Sequence, residues 1–208
     1  MRRALLLLMM VAGFSLVVWS GYQNIRERRL AAQAREATRV TLIPNSTAAS
    51  GNASADTPDV PSPLLGKPAP PLSLMDLNGK RVTLSDFKGH PLVINYWATY
   101  CGPCKFEMPW LETFSKKYAA DGFDVIGVTY DSEVGKDTIS KDVQKLGVTY
   151  PILLSDPKAE KDYLGDTDGL PISFYVDRTG KVIQVTMGLG SQDQLEAMVK
   201  QTIAAGAK

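Results

Sequence analysis

The sequence predicts an α/β domain with a mixed sheet, and three observations carry that prediction. Residues 91–98, PLVINYWA, are a continuous apolar run of the kind found in strands covered on both faces. From residue 64 onward, strand-like runs alternate with stretches of helical periodicity. The chain then ends in a hairpin signal followed by a capped helix, which adds an antiparallel pair to the parallel strands that alternation implies.

The elements follow in order. LSLMDLNGKRVTL, 72–84, reads as a hairpin around Asn78-Gly79, a pair suited to a two-residue type I′ turn. After the 91–98 strand comes a helix: Pro103 suits its first turn, Lys116 and Lys117 suit its last, and Gly122 stands where a terminating glycine is common. FDVIGVTY, 123–130, is the next strand. A helix over 134–146 shows Ile139, Val143 and Leu146 on one face before Gly147. YPILLS, 150–155, is a further strand, with a short helix over 157–164. ISFYVD and KVIQVT flank the turn DRTG, and SQDQLEAMVKQTIA closes the chain as a helix with Ser191 and Gln194 set as a capping box. No internal repeat is present.

With 208 residues and 44% hydrophobic content, the chain can bury one ordinary core and still have residues to spare. The spare residues come first. Arg2 and Arg3 precede an uncharged run from Ala4 to Tyr22, long enough to span a hydrocarbon core of about 30 Å as a helix. Trp19 and Tyr22 stand where interfacial aromatics are favoured. A cleaved signal would need small residues just after the apolar run, where Val17, Val18 and Trp19 stand, so residues 1–22 read as an uncleaved membrane anchor. Residues 23–63 read as a juxtamembrane helix and a disordered tether, because 44–63 are poor in large apolar residues and rich in proline. Residues 1–63 hold seven arginines and no lysine, whereas 64–208 hold two and fourteen, which marks the domain boundary. The formal net charge of +1 gives no reason to expect nucleic acid as a partner.

The only two cysteines stand in WATYCGPCKFEMP, 97–109. A bridge across so short a loop constrains the unfolded chain little, so it is poorly placed as a staple. Zinc would need four ligands, but the only histidine, His90, is distant and reads as a surface loop residue; no metal or other cofactor is expected. A peroxidase would place threonine three residues before its reactive cysteine, where Ala98 stands. Cys101 falls where the strand ends and the helix starts, and Cys104 one turn in. Free N–H groups and the positive end of the helix dipole favour thiolate at Cys101, while an inward-facing Cys104 keeps a higher pKa.

These residues carry a resemblance. NYWATYCGPCKFEMP is similar to the active-site segment of thioredoxin-fold proteins. The wider LMDLNGKRVTLSDFKGHPLVINYWATYC resembles the TlpA-like and ResA-like membrane-anchored thiol-disulfide oxidoreductases. The resemblance covers 64–205 and implies a thioredoxin-like fold with an N-terminal hairpin and a central insertion. It implies that Pro171, in DGLPISF, is the family's cis-proline, with the Leu170 backbone placed for an extended substrate to pair with. Thioredoxin carries a buried aspartate where Asn95 stands here, and Glu107 matches the acidic residue of the ResA-like group, one turn beyond Cys104. Pro109 is expected to kink the helix, Trp97 to pack under the site and Tyr100 to line its rim. Gly102 and Pro103 complete the substrate-facing turn.

The expected activity is therefore a periplasm-facing reductase of protein disulfides, with Cys101 attacking, Cys104 resolving and Glu107 handling protons. Its expected partners are disulfide-bearing envelope proteins, apocytochrome c among them, and a membrane or soluble thiol electron donor. Gly102-Pro103 is the dipeptide of thioredoxin, which tilts the potential toward about −270 mV rather than about −120 mV. The arginine tally around the anchor points the other way, toward a cytoplasmic domain, and the resemblance decides the topology. Three alternatives stay open: a disulfide-introducing oxidase, a dedicated apocytochrome c reductase, and a non-catalytic binding module.

Overall fold

A computed structural model describes residues 62–167 and 169–206. The expected anchor and nearly all of the expected tether lie outside the described residues. No helix among the described residues is long and apolar enough to cross a membrane.

Seven strands form one sheet: β1 (Ser73–Asp76), β2 (Arg81–Thr83), β3 (Leu92–Trp97), β4 (Asp124–Thr129), β5 (Ile152–Leu154), β6 (Ile172–Val176) and β7 (Val182–Met187). Their order is β2-β1-β5-β4-β3-β6-β7. β3, β4 and β5 run parallel, and the remaining pairs are antiparallel, so the sheet is mixed as expected. Among the described residues the α-helices are α1 (Gly102–Lys117), α2 (Lys136–Lys145), α3 (Pro157–Tyr163) and α4 (Gln192–Ala204). Short 3-10 turns link several of these elements.

β3 lies inside the sheet, between β4 and β6, and all six of its residues are buried. Alternation sends Val93 and Trp97 to one face, against residues of α1, α2 and α4, and Leu92, Ile94 and Tyr96 to the other, against α3 and the segment before β1. Asn95 shares the first face, in register with Ser173 of β6 and Gly127 of β4.

One expectation is corrected. The first hairpin does not turn on two residues: Asp76 N–H bonds the Lys80 carbonyl, which leaves Leu77, Asn78 and Gly79 as a three-residue loop. Gly79 N–H bonds the Asp76 carbonyl at 3.0 Å and Gly79 takes φ 81°, the left-handed residue such a loop needs. The physical reason is Asp76, whose Oδ1 accepts the Asn78 and Lys80 N–H groups and so stabilises the longer loop. The last hairpin repeats the device. Asp177 Oδ1 accepts from Thr179 and Lys181, and Gly180 sits at φ 85°. The two loops share the pattern D-x-x-G-K, DLNGK and DRTGK.

Candidate active site

Cys101 is the N-cap of α1, and its sulfur accepts the Cys104 N–H at 3.2 Å. That contact is the helix-start stabilisation a thiolate uses. The two sulfurs are bonded to each other, with Cα atoms 5.4 Å apart. Cys101 is 7% exposed and Cys104 0%, so an attacking group can reach only the first. Gly102 and Pro103 lie exposed in the first turn, and Tyr100 projects at the rim, 70% exposed. Trp97 is fully buried in the cluster that holds both cysteines. Pro109 lies inside the continuous α1 helix, which extends to Lys117.

β3 ends beside these groups. Tyr96 pairs with Ile172, the last pair of that ladder, and Pro171 immediately precedes Ile172. The Leu170–Pro171 peptide is cis. The Pro171 carbonyl accepts the Gly188 N–H at 2.7 Å, which ties this segment to the end of β7. Leu170 is partly buried and packs against both hydrophobic clusters.

Glu107 is buried on the face of α1 that meets the sheet. Its Oε1 accepts from Asn95 Nδ2 at 3.1 Å and from Ser173 Oγ at 3.0 Å, and Asn95 also donates to Ser173 Oγ at 2.9 Å. Burial pushes its carboxyl up to about 7, against the opposing pull of the Ser173 hydroxyl. A carboxyl with that pKa changes charge near neutrality, one helical turn from a buried thiol.

Residues 64–201 match the redoxin family. The thiol-disulfide oxidoreductase ResA of Bacillus thuringiensis subsp. konkukian (strain 97-27) is 34% identical over 137 residues, spanning 66% of this chain and 78% of that protein. The chain belongs to the redoxin family, among its ResA-like members. ResA of Bacillus subtilis (strain 168) is 32% identical over 130 residues, 62% of this chain and 71% of its own. A thiol:disulfide interchange protein of the thioredoxin family from Chlorobium tepidum TLS has a crystal structure with TM-score 0.60 and 28% identity, covering 65% of this chain and 95% of that one. The fold is thioredoxin-like, and the redoxin chemistry of this chain is that of a thiol-disulfide oxidoreductase.

Several supporting residues of this redoxin domain escaped the sequence reading. Buried Asp131, after β4, accepts the Thr99 N–H at 2.9 Å, the Thr99 hydroxyl, and the Thr129 hydroxyl at 2.8 Å. All three partners donate, which suits an acceptor-only carboxylate, and Thr99 lies two residues before Cys101. Buried Glu112, on α1, accepts from Thr149 N–H and Oγ1 at 2.7 and 2.5 Å and from Tyr150 N–H at 3.3 Å. Burial pushes the Glu112 carboxyl up, but these donors and Lys116 outweigh it and hold the pKa below its ordinary value. Ser173 and Tyr150 complete the set. Their distance in sequence from the cysteines left no local signal; only the ionisable buried positions in α1 carried a hint.

Proposed function

We propose that this redoxin is a membrane-anchored reductase of disulfides in proteins outside the cytoplasm. The observation that carries the proposal is the asymmetry of the cysteine pair: an accessible sulfur capping a helix, and a sealed one followed by a buried glutamate that titrates near 7.

In the proposed cycle the Cys101 thiolate attacks one sulfur of the substrate disulfide. That S–S bond breaks, a mixed disulfide joins Cys101 to the attacked sulfur, and the other substrate sulfur leaves as thiolate, the first of the two to depart. Cys104 passes its proton to the Glu107 carboxylate and attacks Cys101 Sγ. The Cys101–Cys104 bond forms and the second substrate thiolate departs, to be protonated by water. The substrate has gained two electrons and the protein has lost them. A donor dithiol reverses the internal bond, and Glu107 returns its proton to Cys104. Leu170 and Pro171 would align an extended substrate, with Tyr100, Gly102, Pro103 and Trp97 bounding the cleft. The Gly102-Pro103 dipeptide supports the reducing direction.

Cys104→Ser tests this reading. Expressed as the full chain in a bacterial host, it should accumulate mixed disulfides with envelope proteins that run as high-mass bands and vanish on reduction. No such bands, with good expression and a folded domain, would contradict it. A potential near −120 mV would favour an oxidase instead. A reporter enzyme active only outside the cytoplasm, fused to the C-terminus, should be active; an inactive but expressed fusion would reverse the topology.

A further inference from the structure

Among the described residues six large hydrophobic side chains are exposed: Leu65, Tyr100, Phe106, Tyr130, Val134 and Leu189. Scattered singly they would mean little, since apolar atoms are common on any protein surface. Five of them stand at one end of the sheet. Tyr100 immediately precedes Cys101, and Phe106 lies just over one turn into α1. The Tyr130 N–H bonds the Trp97 carbonyl at 2.7 Å, which places Tyr130 where β3 gives way to the cysteine loop, and Val134 closes the 3-10 turn that follows. Leu189 comes just after Gly188, whose N–H holds the Pro171 carbonyl. Leu65 alone lies at the far end, next to Gly66, whose N–H bonds the Val182 carbonyl at the start of β7.

Phe106 makes the sharpest case. It is 66% exposed, in a helix whose buried residues are Cys104, Glu107, Met108, Leu111, Glu112 and Phe114. Helical spacing turns it away from that face and makes it the surface neighbour of Gly102 and Pro103, four and three residues earlier. Helical side chains lean toward the N-terminus, so a ring at 106 reaches back over the turn that holds Gly102 and Pro103. Gly102 has no side chain to block it, and a methyl group added there would meet nothing within 4 Å. Lys105, the residue before, is drawn aside by its ion pair with Asp142 of α2 at 2.8 Å. What the helix presents to solvent around its first turn is therefore apolar and aromatic.

We propose that these side chains form an apolar docking surface around Cys101 for extended, non-native protein segments, with Phe106 a specificity-determining residue for apolar side chains that flank the reacting cysteine. The proposal deepens the substrate side of the reductase reading and rests on it for the direction of electron flow. The occupant follows from access. Cys104 is sealed, so every disulfide partner must bring its sulfur to Cys101 at the start of α1, and the residues beside that sulfur then lie against Gly102, Pro103 and Phe106. Continuity with the reacting sulfur thus assigns the surface to the partner's flanking residues. A native protein keeps most of its large apolar side chains inside, whereas an unfolded chain still shows them beside its cysteines. An aromatic ring supplies contact area with little conformational entropy to lose, and removing that area from water favours the complex. Exposed as it is, the Phe106 ring adds little to the stability of the domain, and its gain is realised when a partner covers it.

The test uses the full chain in detergent, reduced, and two short peptides, each supplied as its disulfide-linked homodimer: one with leucine on both sides of its cysteine, the other with serine. In either case the Cys101 thiolate attacks one peptide sulfur, the peptide disulfide breaks, and the released peptide thiol is counted by mass spectrometry. The wild type should react with the leucine peptide about tenfold faster at subsaturating concentration. Phe106→Ala should cut that preference to about twofold, and Phe106→Lys, which also suits a helix, should do the same. Phe106→Leu should keep most of the preference, and Leu65→Ala, at the far end, all of it. Equal wild-type rates for the two peptides, with both reduced, overturn the proposal and leave the reductase reading standing. Full preference in Phe106→Ala and Phe106→Lys overturns it as well; loss of wild-type self-association in those variants, seen by sedimentation, would then give the surface to a second copy of the chain. Run backwards, with the oxidised protein and the peptide thiols, the same preference should appear, because both directions pass through the same mixed disulfide. A protein that shows the preference but equilibrates as an oxidant would sink the reductase reading alone.

Discussion

The two faces of the sheet at β3 solve different problems. The face toward α3 is apolar with its polar handles tied off. Tyr96, Tyr163 and Phe174 pack with ring centroids 5.2–6.0 Å apart, and the two phenols donate to the Ala159 and Pro70 carbonyls. The face toward α1 buries a carboxyl, an amide and a hydroxyl in one cluster, with an indole N–H and a phenol on the same face, and leaves some of their atoms without a protein partner among the described residues. Polar groups buried this way cost folding free energy wherever they are left without a hydrogen bond. One face holds the domain together so that the other can carry groups poised to exchange protons.

Substitutions on the two faces should separate these roles. The largest effect is expected at the cysteines: Cys101→Ser should abolish disulfide reductase turnover while leaving the thermal midpoint close to that of the reduced protein, as an insulin reduction assay and calorimetry would show. Phe174→Ala, on the apolar face, should do the reverse. It should cost about 3–5 kcal/mol in urea unfolding and leave the Glu107 midpoint in place. Glu107 itself couples the two roles. Its folded pKa of about 7 lies above the ordinary 4.5, so the folded state holds the proton more tightly and stability falls as pH rises from about 4.5 to 7. The loss should amount to about 3 kcal/mol, and a Glu107→Gln variant compared across that window should lack it. Ser191→Ala, which removes the α4 cap, should cost about 1 kcal/mol and change neither face's chemistry.

Much of this was legible because it is local. The apolar run of β3, Pro103 and the lysines of α1, and the Ser191–Gln194 capping box each carry their signal within a few residues. The Cys101–Cys104 spacing and the i, i+3 step to Glu107 carry the site the same way. The first hairpin was misread because Asn-Gly suits both a two-residue turn and the end of a three-residue one; the Asp76 side chain makes the difference. Asn95 was legible as a group that takes no proton, but its role as a donor to Glu107 depends on register with Ser173, 78 positions later. Asp131 holds Thr99, 32 positions earlier, and Glu112 holds Thr149 and Tyr150, 37 and 38 positions later, so no short window shows those contacts.

The central claim is the difference between the two thiols, and it can be measured directly on the reduced protein. Alkylation rates followed against pH, with each cysteine scored by mass spectrometry, should give Cys101 a midpoint well below the 8.5 or so of free cysteine and leave Cys104 unreacted until far higher pH. Equal rates for the two sulfurs, or a Cys101 midpoint at the free-cysteine value, would contradict the account.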